Sequence, residues 1–351
     1  MNTQTMQAIR WTGPGELALD TVRVPSPEPG WVLVKVNRVG ICGSDLAIWH
    51  GEHARAQPGV IIGHEFAGVV ADAPGSTALA VGTHVAIRPL IACHDRGTTP
   101  PCRPCASGNS HVCARLGLYG VDEPGGLAQY VQVRADAAHP VHSNVPDDLA
   151  VLAEPLAVAV HAVIRSGLRP GDTVAVFGAG PIGLLTALVA RHRGAHQVVL
   201  VEPNAWRRRT AEQRGFTVLP AGPEAPRQVR GLTGGDGADI VFDSAGHSSV
   251  ALQVTDAARI QGTVVVAGVH KRPPAVDLRG INFAEQRLIG TRVYAREDFL
   301  AAIALLEKDE LGLSALPTTT FPLSRSEAAF EAAGQGEGSV KILIDPNHDG
   351  S

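Results

Sequence analysis

No charge of either sign dominates this chain: 34 acidic residues stand against 30 basic ones, a formal charge of −4. Such balance leaves no electrostatic footprint for nucleic acid or for an anionic membrane surface. No apolar run approaches the roughly 18–20 residues that a bilayer-crossing helix needs. The opening stretch, Met1-Asn2-Thr3-Gln4-Thr5-Met6-Gln7, lacks the basic region and apolar core of a secretory signal, so a cytoplasmic location is expected. Cysteine is scarce and odd in number. Five thiols complete no disulfide framework, and a reducing compartment would keep them free. No internal repeat is visible.

What the chain does have is glycine and proline, 39 and 25 residues, spread along its length as turns. With 351 residues, 44% of them hydrophobic and 18% charged, it can bury a sizeable core and has room for two domains. Up to about residue 150 it reads as short strands between Gly/Pro turns, at 31–37, 66–71 and 83–87, with no long helix. From Glu154 the pattern changes. A helix over 155–166 precedes apolar strands at 173–177, 197–201, 238–242 and 263–267. These alternate with helical stretches at 182–193, 205–214 and 250–258, which predicts a parallel sheet covered on both faces. A helix over 298–306, a short helix over 326–333 and a strand over 339–344 follow.

Gly178-Ala179-Gly180-Pro181-Ile182-Gly183 lies directly between the strand over 173–177 and the next helix. Glu202 ends the following strand, 19 residues after Gly183. Alone the glycine pattern is weak, since glycines also serve ordinary turns. In this setting they permit a tight turn and close approach to a pyrophosphate at a helix N-terminus. Glu202 would accept hydrogen bonds from the adenosine ribose and repel a 2′-phosphate, favouring NAD over NADP. Arg207, Arg208 and Arg209 bear on that choice, because a guanidinium can hold a 2′-phosphate; the reading that most of them line the exposed face of a helix is preferred.

Cys42, Ser44, Asp45, His64 and Glu65 gather thiolate, hydroxyl, imidazole and carboxylate donors in the β-rich part, and Glu154 stands at its boundary. Three mixed ligands with an open position are what a catalytic zinc requires. Singly, Cys42 or His64 would read as ordinary buried residues; it is their company that matters. Cys102-x2-Cys105-x7-Cys113, with Cys93 nine residues before Cys102, suits a closed tetrahedral structural zinc. A redox Cys-x-x-Cys is the competing reading, weakened by the extra cysteines and the absence of a strand-to-helix setting.

Five stretches carry a family resemblance: Gly40-Ile41-Cys42-Gly43-Ser44-Asp45-Leu46, then 62–70, 154–162, 176–184 and Gly338-Ser339-Val340-Lys341. With them the chain resembles the zinc-dependent medium-chain dehydrogenase/reductase family, in particular its polyol branch of sorbitol, butanediol and threonine dehydrogenases. The resemblance implies an α/β protein: a β-rich GroES-like catalytic domain over 1–155 and 299–351, and a Rossmann doubly wound parallel-sheet domain over 156–298. It implies zinc at Cys42, His64 and Glu154, with Glu65 able to join or exchange at the metal and Asp45 orienting the histidine ligand. It also places Arg207 at the adenosine ribose, beside Gly178, Gly180, Pro181, Ile182, Gly183 and Glu202. A homodimer or homotetramer is expected from the same likeness.

The chain departs from the family in three places, one of them a turn variation at Ala71-Asp72-Ala73-Pro74-Gly75, after Gly68, that reads as harmless. The first thiol position of the structural loop, two residues before Cys102, holds Thr99. Cys93 then reads as the first ligand displaced by an insertion over 94–101, with His94 as a substitute if Cys93 does not reach. The relay histidine of many relatives is replaced by Ala47, which leaves His50 as a substitute or as a solvated loop residue. Ile48, Trp49 and Tyr119 read as cleft lining or as core packing, and Tyr294 takes no role from the sequence. The activity expected is oxidation of a secondary alcohol (a polyol, vicinal diol or cyclitol) with NAD, zinc acidifying the hydroxyl and Ser44 accepting its proton. Threonine or a simple secondary alcohol is the alternative substrate. A zinc-independent reductase and a non-catalytic nucleotide-binding protein are the other classes, both disfavoured by the complete ligand set.

Overall fold

The computed structural model describes residues 4–75 and 79–348. Met1, Asn2 and Thr3 of the stretch read for a signal lie outside these. The chain divides into two compact units, Met1–Glu154 with Ala295–Ser351, and Pro155–Tyr294.

The first unit opens with β1 (Thr5–Gly13), β2 (Glu16–Arg23) and β3 (Trp31–Gly40), then α1 (Gly43–Trp49), β4 (Glu65–Asp72), β5 (His84–Ile87) and β6 (Leu90–Ile91). A one-turn helix, α2 (Arg103–Ala106), is followed by β7 (Gly117–Leu118), β8 (Tyr130–Arg134), β9 (Ala138–Pro140) and α3 (Asp147–Ala150). A longer helix, α4 (Ala153–Ser166), carries the chain across the boundary into the second unit. Alternation along β3 buries Val32, Val34 and Val36 in a core shared with Phe66, Val85, Val131 and Val133. Ile48 and Tyr119 are buried in that same core and Trp49 packs against it, so of their two readings the packing one holds.

The second unit is a six-stranded parallel sheet. Along the chain it runs β10 (Thr173–Phe177), α5 (Pro181–His192), β11 (Gln197–Glu202), α6 (Ala205–Gln213), β12 (Thr217–Pro220) and α7 (Ala225–Leu232). It continues with β13 (Ala238–Asp243), α8 (Ser248–Ala257), β14 (Ala258–Val266), α9 (Leu278–Phe283) and β15 (Arg287–Gly290). The strand order is β12-β11-β10-β13-β14-β15. The chain therefore reverses direction across the sheet between β10 and β13, the switch point at which doubly wound sheets bind ligands. Central strands are apolar throughout because helices cover both faces. β12, β15 and the helices α7 and α9 were not anticipated; β12 and β15 are short edge strands, largely exposed, and lack the apolar runs that mark the others.

The chain returns to the first unit through α10 (Arg296–Glu307), β16 (Thr318–Pro322), α11 (Ser326–Gln335) and β17 (Lys341–Asp345). There β17 pairs with β3, giving the order β16-β17-β3-β4-β5-β9, with β8 also paired to β3. One expectation needs correction. Asp147–Ser166 is long and apolar enough by length and composition to cross a membrane, although no such run was expected. In the fold 83% of its most apolar window is buried, as in the core helix of a folded protein.

Candidate functional site

The mixed cluster is built at the junction of β3, α1 and β4. Cys42 caps the N-terminus of α1, and Asp45, one turn on, reaches back to accept the Cys42 backbone N–H at 2.9 Å. The other oxygen of Asp45 lies 3.2 Å from His64 Nδ1. One carboxylate thus holds both the Cys42 main chain and the His64 imidazole, and it leaves His64 Nε2 facing the cluster. Ser44 Oγ lies 3.3 Å from that nitrogen. The ligand atoms of Cys42, His64 and Glu65 fall within 4.8 Å of one another. Gly63, at φ 91°, precedes the histidine; a Cβ there would strike Val39 and Leu127, so only glycine fits the turn that delivers His64.

Glu65 is fully buried, and its partner is a residue the sequence reading named only as part of a motif. The Lys341 ammonium, itself buried at the start of β17, forms an ion pair with the Glu65 carboxylate. Gly40 makes room for the pair, since a Cβ there would meet both side chains. Apart from Lys341, neither oxygen of Glu65 has a hydrogen-bond partner among the described residues. Burial opposes the charge on Lys341, but Glu65, then Cys42 and Glu154, hold its pKa above the ordinary value. Burial likewise opposes charge on His64, and Asp45 and Cys42 outweigh it, raising the imidazole well above its usual range. Asp45 is held low despite burial, chiefly by His64. Glu154 is buried and close enough to act on Lys341, yet its carboxylate stands outside the three-residue cluster. His50 is exposed at the C-terminal end of α1, its ring 4.9 Å from that of Trp49.

The second cluster draws Cys93, Cys102, Cys105 and Cys113 together, with all four sulfurs within 4.8 Å of one another. Cys93 and Cys113 are 3.6 Å apart, and Cys102 and Cys113 3.7 Å. Four thiolates about 2.3 Å from a central zinc lie about 3.8 Å apart in a tetrahedron, whereas a disulfide requires about 2.05 Å. The inserted loop thus brings Cys93 to the set. His94 is not part of it, pairing instead with Asp95 at 2.9 Å. Backbone N–H groups of Cys102, Ala114 and Arg115 point at the sulfurs. The backbone N–H groups of Cys105 and Ala114 pull the Cys102 thiol down to about 6, while burial pushes Cys105 up to about 12.

In the second unit, Gly178 ends β10 at φ 101° and Gly180 caps α5, with Pro181, Ile182 and Gly183 in its first turn. A Cβ at Gly183 would overlap the Gly178 carbonyl, so the turn closes to a shape that only glycine allows. Glu202 is 2% exposed, and both its oxygens are engaged: one accepts from Ala179 N at 2.6 Å, the other from Asn204 N at 2.8 Å. The expected ribose acceptor is therefore also the anchor of the glycine turn, a second duty that the sequence did not show. The three arginines separate. Arg207 lies beside the turn, 3.6 Å from where a Cβ on Gly180 would sit. Arg208 donates to the carbonyls of Glu202 and Pro203, and of the three only Arg209 is exposed.

Residues 28–143 match the alcohol dehydrogenase GroES-like domain, and residues 181–308 the zinc-binding dehydrogenase domain. A 2-dehydro-3-deoxy-L-galactonate 5-dehydrogenase of Pseudoalteromonas atlantica is 35% identical over 92% of this chain and 93% of its own. This protein is a zinc-dependent medium-chain dehydrogenase/reductase of the polyol branch. An erythritol/L-threitol dehydrogenase of Mycolicibacterium smegmatis is 32% identical, over 98% of both chains. Among solved structures, one described as a zinc-binding dehydrogenase of Sinorhizobium meliloti bound to NADP is 31% identical. It superposes with a TM-score of 0.88, over 98% of this chain and 100% of that one. The dehydrogenase is thus an alcohol oxidoreductase that uses zinc and a nicotinamide dinucleotide. Its donors fit those groups: a half-buried thiol with a buried imidazole and carboxylate for one ion, four thiols at tetrahedral spacing for another, and a glycine turn at a helix N-terminus for the pyrophosphate.

Proposed function

We propose that this dehydrogenase oxidises one secondary hydroxyl of a polyol, vicinal diol or cyclitol to a ketone, with NAD. The observation that carries the reading is the Cys42, His64 and Glu65 cluster with Ser44 Oγ set 3.3 Å from His64 Nε2. Cys42, His64 and Glu65 would hold the catalytic ion, and buried Glu154 adds a carboxylate beside Lys341. When bound, zinc lowers the pKa of the substrate hydroxyl and the nicotinamide accepts the hydride. Ser44 accepts the hydroxyl proton, and His50, exposed at the far end of the same helix, is assigned to hand it to solvent. Asp45 keeps the His64 ring in one orientation and one tautomer. Glu65 and Glu154 accept hydrogen bonds from a second hydroxyl, which favours polyols over simple alcohols.

NAD is preferred because Glu202 places a carboxylate at the end of β11, which outweighs Arg207, the one of the three arginines set beside the turn. NADP in the Sinorhizobium structure belongs to that protein. We also assign a homodimer or homotetramer. Leu278, Phe283 and Leu288 are exposed on α9 and β15, and β15 is the open edge of the parallel sheet. A cytoplasmic location suits thiols that must stay reduced to bind metal. The test is a panel of polyols, diols, threonine and sugar acids followed by NADH absorbance, with metal content measured alongside. Turnover of a polyol or diol with NAD, and about two zinc ions per chain, is the expected result. Full activity after removal of all metal would overturn the mechanism, and turnover with NADP alone would overturn the reading of Glu202.

A further inference from the structure

Asp243 is the last residue of β13, the strand across the switch point from the glycine turn, and both oxygens of its carboxylate are engaged. Its Oδ1 accepts from Ala245 N and Gly246 N at 3.0 and 2.9 Å. Its main-chain carbonyl accepts from Ala267 N and Gly268 N at 2.9 and 2.7 Å, tying in the loop that follows β14. Its Oδ2 accepts from His270 Nε2 at 2.8 Å. The carboxylate is 1% exposed and the imidazole 13%. Two loops at the C-terminal edge of the sheet are therefore held by one aspartate, and the histidine closes the clasp from the second loop.

The loops also touch directly. A Cβ on Gly246 would meet the Val269 carbonyl at 2.6 Å, and one on Gly268 would overlap Gly246 N. On the other side, a Cβ on Gly178 would meet Ala245 N at 3.2 Å, and one on Gly183 the Ser244 Cβ at 3.4 Å. The clasp and the glycine turn are thus one packed assembly, with no slack between them. The adenosine half of the dinucleotide belongs to the β10–β11 side, where Glu202 lies, and the nicotinamide half to the β13–β14 side. The Asp243–His270 pair stands on the nicotinamide side.

We propose that His270 is a positioning residue: through Asp243 it holds the loop after β14 in the shape that receives the nicotinamide half of the cofactor. Neither residue need touch the reacting atoms. Losing the charge-assisted hydrogen bond lets the 267–270 loop sample other shapes, and the cofactor then loses affinity in proportion to the fraction left competent.

The experiment compares two ligands on His270→Ala and His270→Gln in the full-length, metal-loaded enzyme. NADH reports both halves of the site, whereas AMP reports the adenosine half alone. His270→Ala is expected to raise the NADH dissociation constant about tenfold and to leave that of AMP unchanged. His270→Gln, whose amide can donate to Asp243, is expected to recover most of the loss. In steady state the KM for the dinucleotide should rise more than kcat falls. Unaltered NADH binding in His270→Ala, equal losses for NADH and AMP, or a Gln variant no better than Ala would each overturn the assignment. Should the wild type bind NADPH and not NADH, the reading of Glu202 fails, and the same comparison runs with NADPH against 2′,5′-ADP.

Discussion

The two donor clusters of the first unit share a scaffold and differ in almost everything else. The four-thiol set is closed: its sulfurs stand at tetrahedral spacing and backbone N–H groups surround them. The Cys42, His64 and Glu65 set mixes ligand types and places a serine hydroxyl beside the imidazole. It also buries a carboxylate in an ion pair with a lysine. A closed shell of like ligands stabilises; a mixed one with a position to spare can take a substrate. The same polypeptide unit keeps the two tasks apart by choice of ligand and by second partners.

That contrast can be broken most forcefully at the closed site. Cys105→Ser should release the structural ion, and because such a site contributes on the order of 10 kcal/mol to folding, the loss should appear as aggregation or a collapse in Tm. A variant that keeps the wild-type Tm would show the thiol cluster to be dispensable. Next comes Cys42→Ala, expected to lower kcat/KM by at least about a thousandfold, roughly 4 kcal/mol, while one zinc per chain, Tm and NADH binding remain. Metal analysis alongside kinetics decides it. Asp45→Asn should weaken the catalytic ion about 10- to 100-fold in a competition with a chelator and leave the structural ion alone. Equal loss from both sites would deny Asp45 its local role.

Acid provides the smallest and most selective probe. Burial, and then Arg88 and Arg296, depress His139 to about 4 from its ordinary 6.5. Between those values the unfolded chain binds the proton and the folded one does not, so stability is present above pH 6.5 and falls as pH drops toward 4. The loss amounts to about 2 kcal/mol at pH 5. His139→Gln should flatten this part of the Tm profile between pH 7 and pH 5 without changing the metal content. An unchanged slope would assign the acid loss to the clusters.

Most of this site could be read from the chain because its ligands sit in compact local motifs. Cys42, Ser44 and Asp45 share one helix turn, and His64 and Glu65 adjoin a glycine that only one backbone shape explains. The glycine turn was legible for the same reason, lying between an apolar strand and a helix. What stayed hidden depends on contacts between distant segments. Lys341 acquires its partner only because β17 pairs with β3, and one lysine in a C-terminal strand gives no local sign of that. Asp243 and His270 are equally unmarked, since it takes the parallel sheet to bring the ends of β13 and β14 together. Glu202 was singled out for the ribose, but its hold on the glycine turn was not foreseen. The short edge strands β12 and β15 were missed because exposure removes the apolar pattern by which buried strands announce themselves.

The pairing of β17 with β3 also sets an order of assembly. A ribosome delivers Cys42, His64 and Glu65 long before it delivers Lys341, and the whole parallel-sheet unit is made in between. Until the returning strand inserts beside β3, Glu65 has no counter-charge and the sheet beneath it is missing a member. The thiol cluster, drawn from one continuous stretch of chain, can close early. With the metal roles proposed above, the Cys42, His64 and Glu65 set would be completed after the four-thiol set, and a nascent chain would hold its stabilising metal before the reactive one.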